Sequence, residues 1–312
     1  MKAYILTGTG AADALQLTEI PQPSIQPHEV LIKALAIDIN PVDSKTLQGA
    51  GQYNKIKDDS PVILGWGLSG VIEKTGSAVP DLQPGDEVFG LVNFPGHGRT
   101  YAEYVAAPAA HLAKKPANIF HEAAAASTLA ALTAWQALQQ AALQPGERVL
   151  IQGIAGGVGF PAFRIAQEKG AYIIGTASAK DIAWLKQQGV HEVIDYKNTD
   201  FEKATSNIDF VLDTLGGEAV IKAFNILGPR GRLITLPSGK GDAWKAIAEQ
   251  KGIHAKHMFV RSSEEDMQAI ATRLHDGRLQ PHIAHRFTFD QIPFIHQQML
   301  NKKLSGKIVV QM

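Results

Sequence analysis

The sequence predicts an α/β protein whose central part is a doubly wound parallel sheet. Up to about residue 120, short apolar runs alternate with glycine and proline, which is typical of a β-rich segment. From about residue 121, strand-like runs alternate with helix-like patterns at the spacing of βαβ units. After about residue 275 the chain returns to short mixed runs and ends in a strand-like stretch at 306–310. The change of pattern near residue 121 predicts a domain boundary.

The individual strands and helices are predicted from the apolar runs and from the glycine and proline residues that separate them. The strands predicted in the first part are 30–37, 62–63, 70–72, 87–91 and 101–106. An alanine-rich stretch predicts one buried or half-buried helix over 123–143. The strands predicted for the parallel sheet are 147–151, 171–175, 192–194, 210–212 and 232–236. An amphipathic helix over 161–169 follows the first of them.

Composition limits the classes of function. The 312 residues are 45% hydrophobic and 19% charged, which is typical of a soluble globular chain of one large or two ordinary domains. The 30 basic and 30 acidic residues cancel, so the charge favours neither a nucleic-acid nor a membrane partner. The chain has no cysteine, which excludes disulfides, thiolate nucleophiles and cysteine-bound metals. With no secretory pattern at Met1, we expect a cytoplasmic protein.

A glycine-rich loop carries the clearest functional signal. Residues 153–159 read Gly-Ile-Ala-Gly-Gly-Val-Gly and lie between a buried strand and a helix. Such glycines let the backbone approach a pyrophosphate, and the helix N-terminus attracts the anion. The context on both sides predicts dinucleotide binding, with Gly156, Gly157 and Val158 at the cofactor.

The end of the second strand of the parallel sheet predicts which dinucleotide is bound. An NAD site usually has an acid about 20 residues after the glycine loop, bonded to the ribose 2′-hydroxyl. Here Ser178 and Lys180 stand at that strand end, and Tyr196 follows the next strand. A hydroxyl, a cation and a phenol suit the 2′-phosphate of NADPH, which we expect as the cofactor. Asp181 is the alternative, since its carboxylate would suit the ribose of NADH.

Eight short motifs occur along the chain in one order. They are Asn-Pro-Val-Asp at 40–43, Gly-Trp-Gly-Leu-Ser-Gly-Val at 65–71, Pro-Gly-Asp-Glu-Val-Phe-Gly at 84–90, Tyr-Ala-Glu-Tyr-Val at 101–105, Leu-Thr-Ala-Trp at 132–135, Ala-Gly-Gly-Val-Gly at 155–159, Val-Ile-Asp-Tyr at 193–196 and Gly-Lys-Ile-Val at 306–309. In these motifs the chain resembles the zinc-independent quinone oxidoreductase branch of the medium-chain dehydrogenase/reductase superfamily. The resemblance covers essentially the whole length.

The resemblance implies a two-domain enzyme. A GroES-like catalytic domain would be formed by 1–120 plus 275–312, and a Rossmann dinucleotide-binding domain by 121–274. The active site would lie in the cleft, where NADPH gives hydride to a small quinone or α,β-unsaturated carbonyl compound. The family also tends to form homodimers, often through the edge of the Rossmann sheet.

Two departures from the family bear on a metal. The family often has an acid two residues after the glycine equivalent to Gly65, and in zinc-bearing relatives this region supplies a metal-site acid, whereas this chain has Gly67. We expect this glycine to suit a metal-free site and to open the cleft. The second departure is the missing sugar-reading acid. Zinc relatives also use cysteine ligands, which this chain lacks, and the scattered histidines (His97, His111, His121, His282 and His285) are expected to be structural. No metal site is therefore predicted.

Catalysis without a metal needs hydrogen-bond donors for the substrate oxygen, where charge develops during hydride addition. The candidates follow the Asn40 motif: Asn40 itself, Lys45, which matches a lysine of enone reductases, and Tyr53 after a glycine-rich stretch. Thr133 is expected to face the cofactor, and Asp43 to be a loop or helix cap. Two alternatives stay open: an NADPH-binding sensor or structural protein with little turnover, and an enoyl-thioester reductase.

Overall fold

The computed structural model describes residues 1–238 and 241–312, which form two compact units. Unit 1 combines Met1–Leu132 with Val260–Met312, and unit 2 is Thr133–Phe259. The strands of unit 1 are β1 Lys2–Leu6, β2 Leu15–Glu19, β3 Glu29–Ile39, β4 Gly67–Thr75, β5 Glu87–Leu91, β6 Tyr104–Pro108, β7 Leu112–Lys114, and, past unit 2, β14 Ile283–Thr288 and β15 Lys307–Gln311. Its helices are α1 Pro41–Leu47, α2 Tyr53–Ile56, α3 His121–Ala126, α10 Glu264–His275 and α11 Ile292–Leu300.

The main sheet of unit 1 has the strand order β14-β15-β3-β4-β5-β7, and β6 pairs with β3. Strand β3 is its centre, because it pairs antiparallel with β15, with β4 and with β6. Strands β1 and β2 form a separate antiparallel pair. The core of the unit includes the fully buried side chains of Trp66, Phe89 and Tyr101. Burial of such large side chains is the main stabilising contribution here.

Unit 2 contains the parallel sheet. Helix α4 Leu129–Gln140 contains the boundary between the units. The strands are β8 Arg148–Ile151, β9 Tyr172–Ala177, β10 Glu192–Asp195, β11 Ile208–Asp213, β12 Leu227–Thr235 and β13 His254–His257. The helices are α5 Gly159–Glu168, α6 Ala179–Gln187, α7 Phe201–Ala204, α8 Glu218–Ala223 and α9 Ala243–Lys251.

The strand order of unit 2 is β10-β9-β8-β11-β12-β13, and its five neighbouring strand pairs are parallel. This is the doubly wound arrangement, so the α/β prediction is confirmed. Strands β9 and β10 lie on one side of β8, whereas β11, β12 and β13 lie on the other, so the order of strand addition reverses between β8 and β11. Ligands of such sheets bind outside the carboxyl ends of the strands at that point. The buried core includes Leu150, Ile174, Val211 and Trp244.

The sequence-based boundaries near residues 121 and 275 differ from those of the two units. Helix α3 packs on β3, β4 and β15, and α10 packs on β7, so both helices belong to unit 1. The predicted single helix over 123–143 is wrong, because it is interrupted between α3 and α4. There the hydroxyls of Ser127 and Thr128 donate to the backbone oxygens of Ala123 and Ala125 and compete with the helical hydrogen bonds.

Two predicted strands also differ. Residues 62–63 contribute an isolated bridge between Ile5 and Ile63 rather than a strand, and β6 begins at Tyr104 instead of residue 101. Within the described part of the chain, no helix is both long and apolar enough to cross a membrane.

Candidate active site

The glycine loop of unit 2 follows β8 directly. Its first turn is fixed by Gly153, whose N–H donates to Thr176 Oγ1 at 2.9 Å. A Cβ at position 159 would lie 2.3 Å from the Gly153 oxygen, so only glycine allows the loop to close against the start of α5. A Cβ at Gly157 would meet nothing within 4 Å, and this glycine therefore faces open space.

These residues fit a dinucleotide pyrophosphate. Helix α5 begins at Gly159 with no acidic residue in its first turn, so its positive dipole end meets no opposing charge there. The open space over Gly157 allows an anion to approach the backbone. Gly156 and Val158 flank that space, and the Gly156 N–H donates to Gly153 O at 2.8 Å. The site can thus hold the phosphates of a nicotinamide cofactor.

Polar side chains gather at the carboxyl end of β9. Ser178 precedes α6, and its hydroxyl donates to Asp181 Oδ2 at 2.6 Å. Lys180 is exposed in the first turn of α6. Tyr196 is 56% exposed, and its N–H donates to Ala177 O at 3.2 Å, which places it beside the same strand end. The predicted hydroxyl, cation and phenol therefore share this strand end with the Asp181 carboxylate.

Asp213 at the end of β11 is a further polar group on the other side of the switch point, which the sequence reasoning missed. It is fully buried and accepts from Thr235 Oγ1 at 2.5 Å and from the N–H groups of Leu215 and Gly216. Burial raises the pKa of its carboxyl group, and the three hydrogen bonds oppose that rise. Thr214 donates to Gln152 O at 2.7 Å and so links this loop to the end of β8. The signal in the sequence was an acid directly after an apolar strand.

In unit 1 the Asn40 motif forms the turn from β3 into α1. The Asn40 N–H donates to Asp43 Oδ2 at 2.8 Å, and Pro41 occupies the first turn of the helix, where its missing N–H costs nothing. Asp43 is thus a helix cap, as the sequence suggested. It is fully buried, and burial together with the nearby charge of Asp38 raises the pKa of its carboxyl group to about 7.

A buried polar cluster surrounds Asn40. Lys307 donates to Asn40 Oδ1 at 2.7 Å and also forms an ion pair with Asp38. Thr128 Oγ1 donates to the same Asp38 carboxylate at 3.1 Å. The sequence reasoning missed Asp38, Thr128 and Lys307, although Asp38 and Lys307 were visible as charged residues in apolar strand runs. Asn40 Nδ2 is buried and has no hydrogen-bond partner within residues 1–238 and 241–312.

Gly67 does not open a space, contrary to the expectation from the sequence. A Cβ at this position would lie 2.0 Å from Asp38 Oδ1 and 2.1 Å from Thr128 Oγ1. The volume beside Gly67 is therefore filled by the Asp38 carboxylate and the Thr128 hydroxyl. Any larger residue at 67 requires Asp38 to move.

Backbone contacts bring Lys45 and Tyr53 into one folded segment. The Ala50 N–H donates to Lys45 O at 2.9 Å, and the Tyr53 N–H donates to Ala50 O at 2.9 Å. Thr46 Oγ1 accepts from the Gln52 N–H at 3.1 Å and closes the loop from the other side. Both predicted donors are half-buried. Thr133 is 6% exposed within α4, at the first residue of unit 2.

A chain of buried hydrogen bonds lies next to the Asn40 turn. His296 Nε2 is 3.0 Å from the Tyr101 hydroxyl, and His296 Nδ1 is 3.1 Å from Ser44 Oγ. Burial lowers the pKa of His296 to about 4, so its ring is neutral and has one donor and one acceptor nitrogen. Burial, and then the Asp43 charge, raises the pKa of Tyr101 well above its usual value.

The described part of the chain contains no group of three or more His, Cys, Asp or Glu residues placed to hold a metal ion. Among the histidines, His97 has its Nε2 atom within hydrogen-bond distance of both the backbone N–H and the backbone oxygen of Ile63. Burial lowers the pKa of His97 to about 4. His121 is hydrogen-bonded to Ser69 and Glu87. These two side chains have structural partners.

Comparison with known families and proteins shows which families and relatives the chain is similar to. Residues 26–117 match the alcohol dehydrogenase GroES-like domain, which confirms the GroES-like prediction, and residues 188–310 match the zinc-binding dehydrogenase family. The chain is 30% identical to 2-methylene-furan-3-one reductase of Solanum lycopersicum, over 99% of this chain and 79% of the relative. It is 28% identical to the chloroplastic NADPH-dependent alkenal/one oxidoreductase of Arabidopsis thaliana, with the same coverage of 99% and 79%.

The solved structures agree with this placement. A quinone oxidoreductase from Coxiella burnetii is 32% identical, with a TM-score of 0.94 over 100% of this chain and 99% of that one. Identity at this level over the full length extends to both units described above. The chain belongs to the quinone and enone oxidoreductase branch of the medium-chain dehydrogenase/reductase superfamily.

Proposed function

We propose that this protein is an NADPH-dependent reductase of small quinones and α,β-unsaturated carbonyl compounds. The observation that carries the proposal is the glycine loop after β8, which faces open space at Gly157 and leads into the N-terminus of α5. It supports a dinucleotide as cofactor. The names of the relatives from Solanum lycopersicum, Arabidopsis thaliana and Coxiella burnetii support an enone or a quinone as acceptor.

When bound, the cofactor supplies a hydride to the conjugated carbon of the acceptor. Negative charge then moves to the acceptor oxygen, where hydrogen-bond donors stabilise it. In unit 1 Asn40 has a buried N–H₂ group without a partner in the described residues. Lys45 and Tyr53 would add an ammonium and a phenol from the neighbouring loop. A proton from Lys45, Tyr53 or solvent completes the reduction.

Turnover tests this function most directly. NADPH oxidation would be followed with a panel of quinones, enones and acyl thioesters. We expect turnover with the first two classes. Binding of NADPH without turnover on any acceptor would favour a sensor or structural protein. Preference for acyl thioesters would favour an enoyl-thioester reductase.

The loop donors can be tested one by one. We expect Lys45→Met and Tyr53→Phe to lower kcat more than they raise KM, because a donor to developing charge acts mainly in the transition state. The loss should approach about 10²-fold for an enone and be smaller for a quinone, which is already activated. Lys57→Met, an exposed lysine just after α2, is the matched control. Parental rates in both variants on every acceptor would mean that this loop only shapes the site.

Cofactor choice rests on Ser178, Lys180 and Tyr196. We expect NADPH to bind more tightly than NADH, and Lys180→Ala to weaken NADPH by about tenfold, the value of one charge-assisted hydrogen bond at an exposed site. Because the Asp181 carboxylate lies at the same strand end, Asp181→Asn should strengthen NADPH and weaken NADH. Affinities would be measured by fluorescence titration of both cofactors. Equal affinities in the parent protein would contradict the NADPH assignment.

Zinc independence rests on the sequence, which has no cysteine to act as a ligand. We expect exhaustive chelation to leave NADPH-dependent turnover unchanged. Zinc content of the purified protein would be measured in parallel. Stoichiometric zinc that is lost together with activity would contradict the proposal.

The homodimer and the cytoplasmic location stay predictions. Strands β10 and β13 are the two outer strands of the unit 2 sheet, and we propose β13 as the pairing edge of a dimer. Phe259, two residues after it, is 53% exposed.

A further inference from the structure

Three neighbouring strands place one charged pair beside the Asn40 turn. In the antiparallel register of β15 and β3, Val309 pairs with Asp38 and Ile308 with Ile39, so Lys307 comes opposite Asn40. In the register of β3 and β4, Ile37 pairs with Leu68, so Asp38 comes opposite Gly67. Asp38 and Asn40 are two residues apart in extended backbone and therefore point to the same face.

The contacts of Lys307 fix the orientation of the Asn40 amide. An ammonium group only donates hydrogen bonds, so the amide atom 2.7 Å from Lys307 Nζ must be the oxygen. The opposite end of the amide is then the N–H₂ group. This group is the buried donor that has no partner in the part of the chain that the structure describes.

Asp38 makes the buried lysine possible. Lys307 is 5% exposed, and an unpaired ammonium at such a place would be costly. The Asp38 carboxylate, fully buried and also bonded to Thr128, supplies the opposite charge. It occupies the volume that a side chain at Gly67 would need, since a Cβ there would lie 2.0 Å from Asp38 Oδ1.

We propose that Asp38 and Lys307 are positioning residues which hold the Asn40 amide with its N–H₂ group directed to the reacting molecule. The inference rests on the proposed function, in which Asn40 donates to the acceptor oxygen. Without Lys307 the amide could rotate and present its oxygen, which would repel the developing charge. Without Asp38 the lysine would lose its partner and leave its place.

A double-mutant cycle tests this. We expect Lys307→Met to lower kcat for an enone by about tenfold, equivalent to about 1.4 kcal/mol, with little change in the KM for NADPH. In an Asn40→Ala background the same substitution should have no further effect on kcat, because Lys307 acts through the amide. Lys115→Met is the matched control, since Lys115 is a buried lysine paired with Glu87 at 2.9 Å in the same unit. It should lose stability without losing kcat.

The outcomes separate the two proposals. Parental kcat in Asn40→Ala would overturn both the donor role of Asn40 and the positioning pair. A slow Asn40→Ala with parental kcat in Lys307→Met would overturn only the positioning pair. Additive losses in the double variant would also overturn it.

A second variant decides the case if Lys307→Met does not fold. In a Thr128→Ala background, which removes the hydroxyl that would lie 2.1 Å from a Cβ at 67, the Asp38→Gly variant should be slow, whereas the Asp38→Gly/Gly67→Asp variant moves the carboxylate to the opposite strand and into the same volume. We expect the double variant to recover most of the kcat lost in Asp38→Gly. Equal kcat in these two variants would overturn the role of a carboxylate beside Lys307.

Discussion

Gly157→Asp should greatly weaken cofactor binding while the protein keeps its stability. The Cβ at this position meets nothing within 4 Å, so the fold has room for the new side chain. Its carboxylate would occupy the open space through which an anion approaches the loop, and like charges about 4 Å apart repel by about 4 kcal/mol at an effective dielectric constant of about 20. We therefore expect an NADPH affinity about 10³-fold weaker, measured by fluorescence titration, with an unchanged Tm.

Gly8→Asp is the matched control, because a Cβ at Gly8 also meets nothing within 4 Å and Gly8 belongs to unit 1. It introduces the same side chain and should leave NADPH affinity at the parental value. Gly157→Ala adds bulk without charge and should fall between the two. Parental NADPH affinity in Gly157→Asp would mean that the pyrophosphate does not lie over this loop.

The glycine loop was predictable because its signal is local. Strand, turn and helix follow one another within a dozen residues, and the spacing of the glycines predicted the turn. The separate roles of the glycines were not predictable. Gly159 is needed because a Cβ would strike the Gly153 oxygen, whereas Gly157 faces open space. Only the three-dimensional path of the loop distinguishes a packing glycine from a ligand-facing one.

The positioning pair could not be predicted, because its partners are distant in sequence. Asp38 and Lys307 are 269 residues apart, and Asp38 and Thr128 are 90 apart. The register of β15, β3 and β4 brings them together, and register depends on which strands pair. The sequence therefore showed a glycine at 67 without showing what occupies the neighbouring space.

The interrupted helix illustrates tertiary context overriding propensity. An alanine-rich run favours a continuous helix, and the sequence predicted one over 123–143. The interruption at Ser127 and Thr128 turns the Thr128 hydroxyl toward Asp38, at 3.1 Å. A hydrogen bond to a charged group contributes about 1.5–3 kcal/mol, which offsets helical hydrogen bonds lost at the interruption.

Asp43→Asn should change how stability depends on pH. Burial, and then the charge of Asp38, raises the pKa of the Asp43 carboxyl group to about 7 in the folded protein, against a usual value of 3.8. Between these values the folded protein holds a proton that the unfolded chain has lost. The contribution of the protonated Asp43 carboxyl group to the free energy of unfolding is therefore fully present below about pH 4. It is lost as pH rises to about 7, by about 4 kcal/mol in all.

An asparagine removes this ionisation and can still accept the Asn40 N–H through its amide oxygen. We expect the free energy of unfolding of Asp43→Asn, relative to the parent, to rise by about 4 kcal/mol from pH 4 to pH 8. His97 and His296 act in the opposite sense, since burial lowers the pKa of each to about 4 and their neutral forms stabilise the fold as pH rises. His97 and His296 are present in both proteins, so their contributions cancel in the difference.

Urea unfolding at each pH measures the difference in the free energy of unfolding between Asp43→Asn and the parent, with the exposed Asp58→Asn as control. A difference that does not vary with pH would show that Asp43 is ionised across this range, with Lys307 balancing its charge as well as that of Asp38.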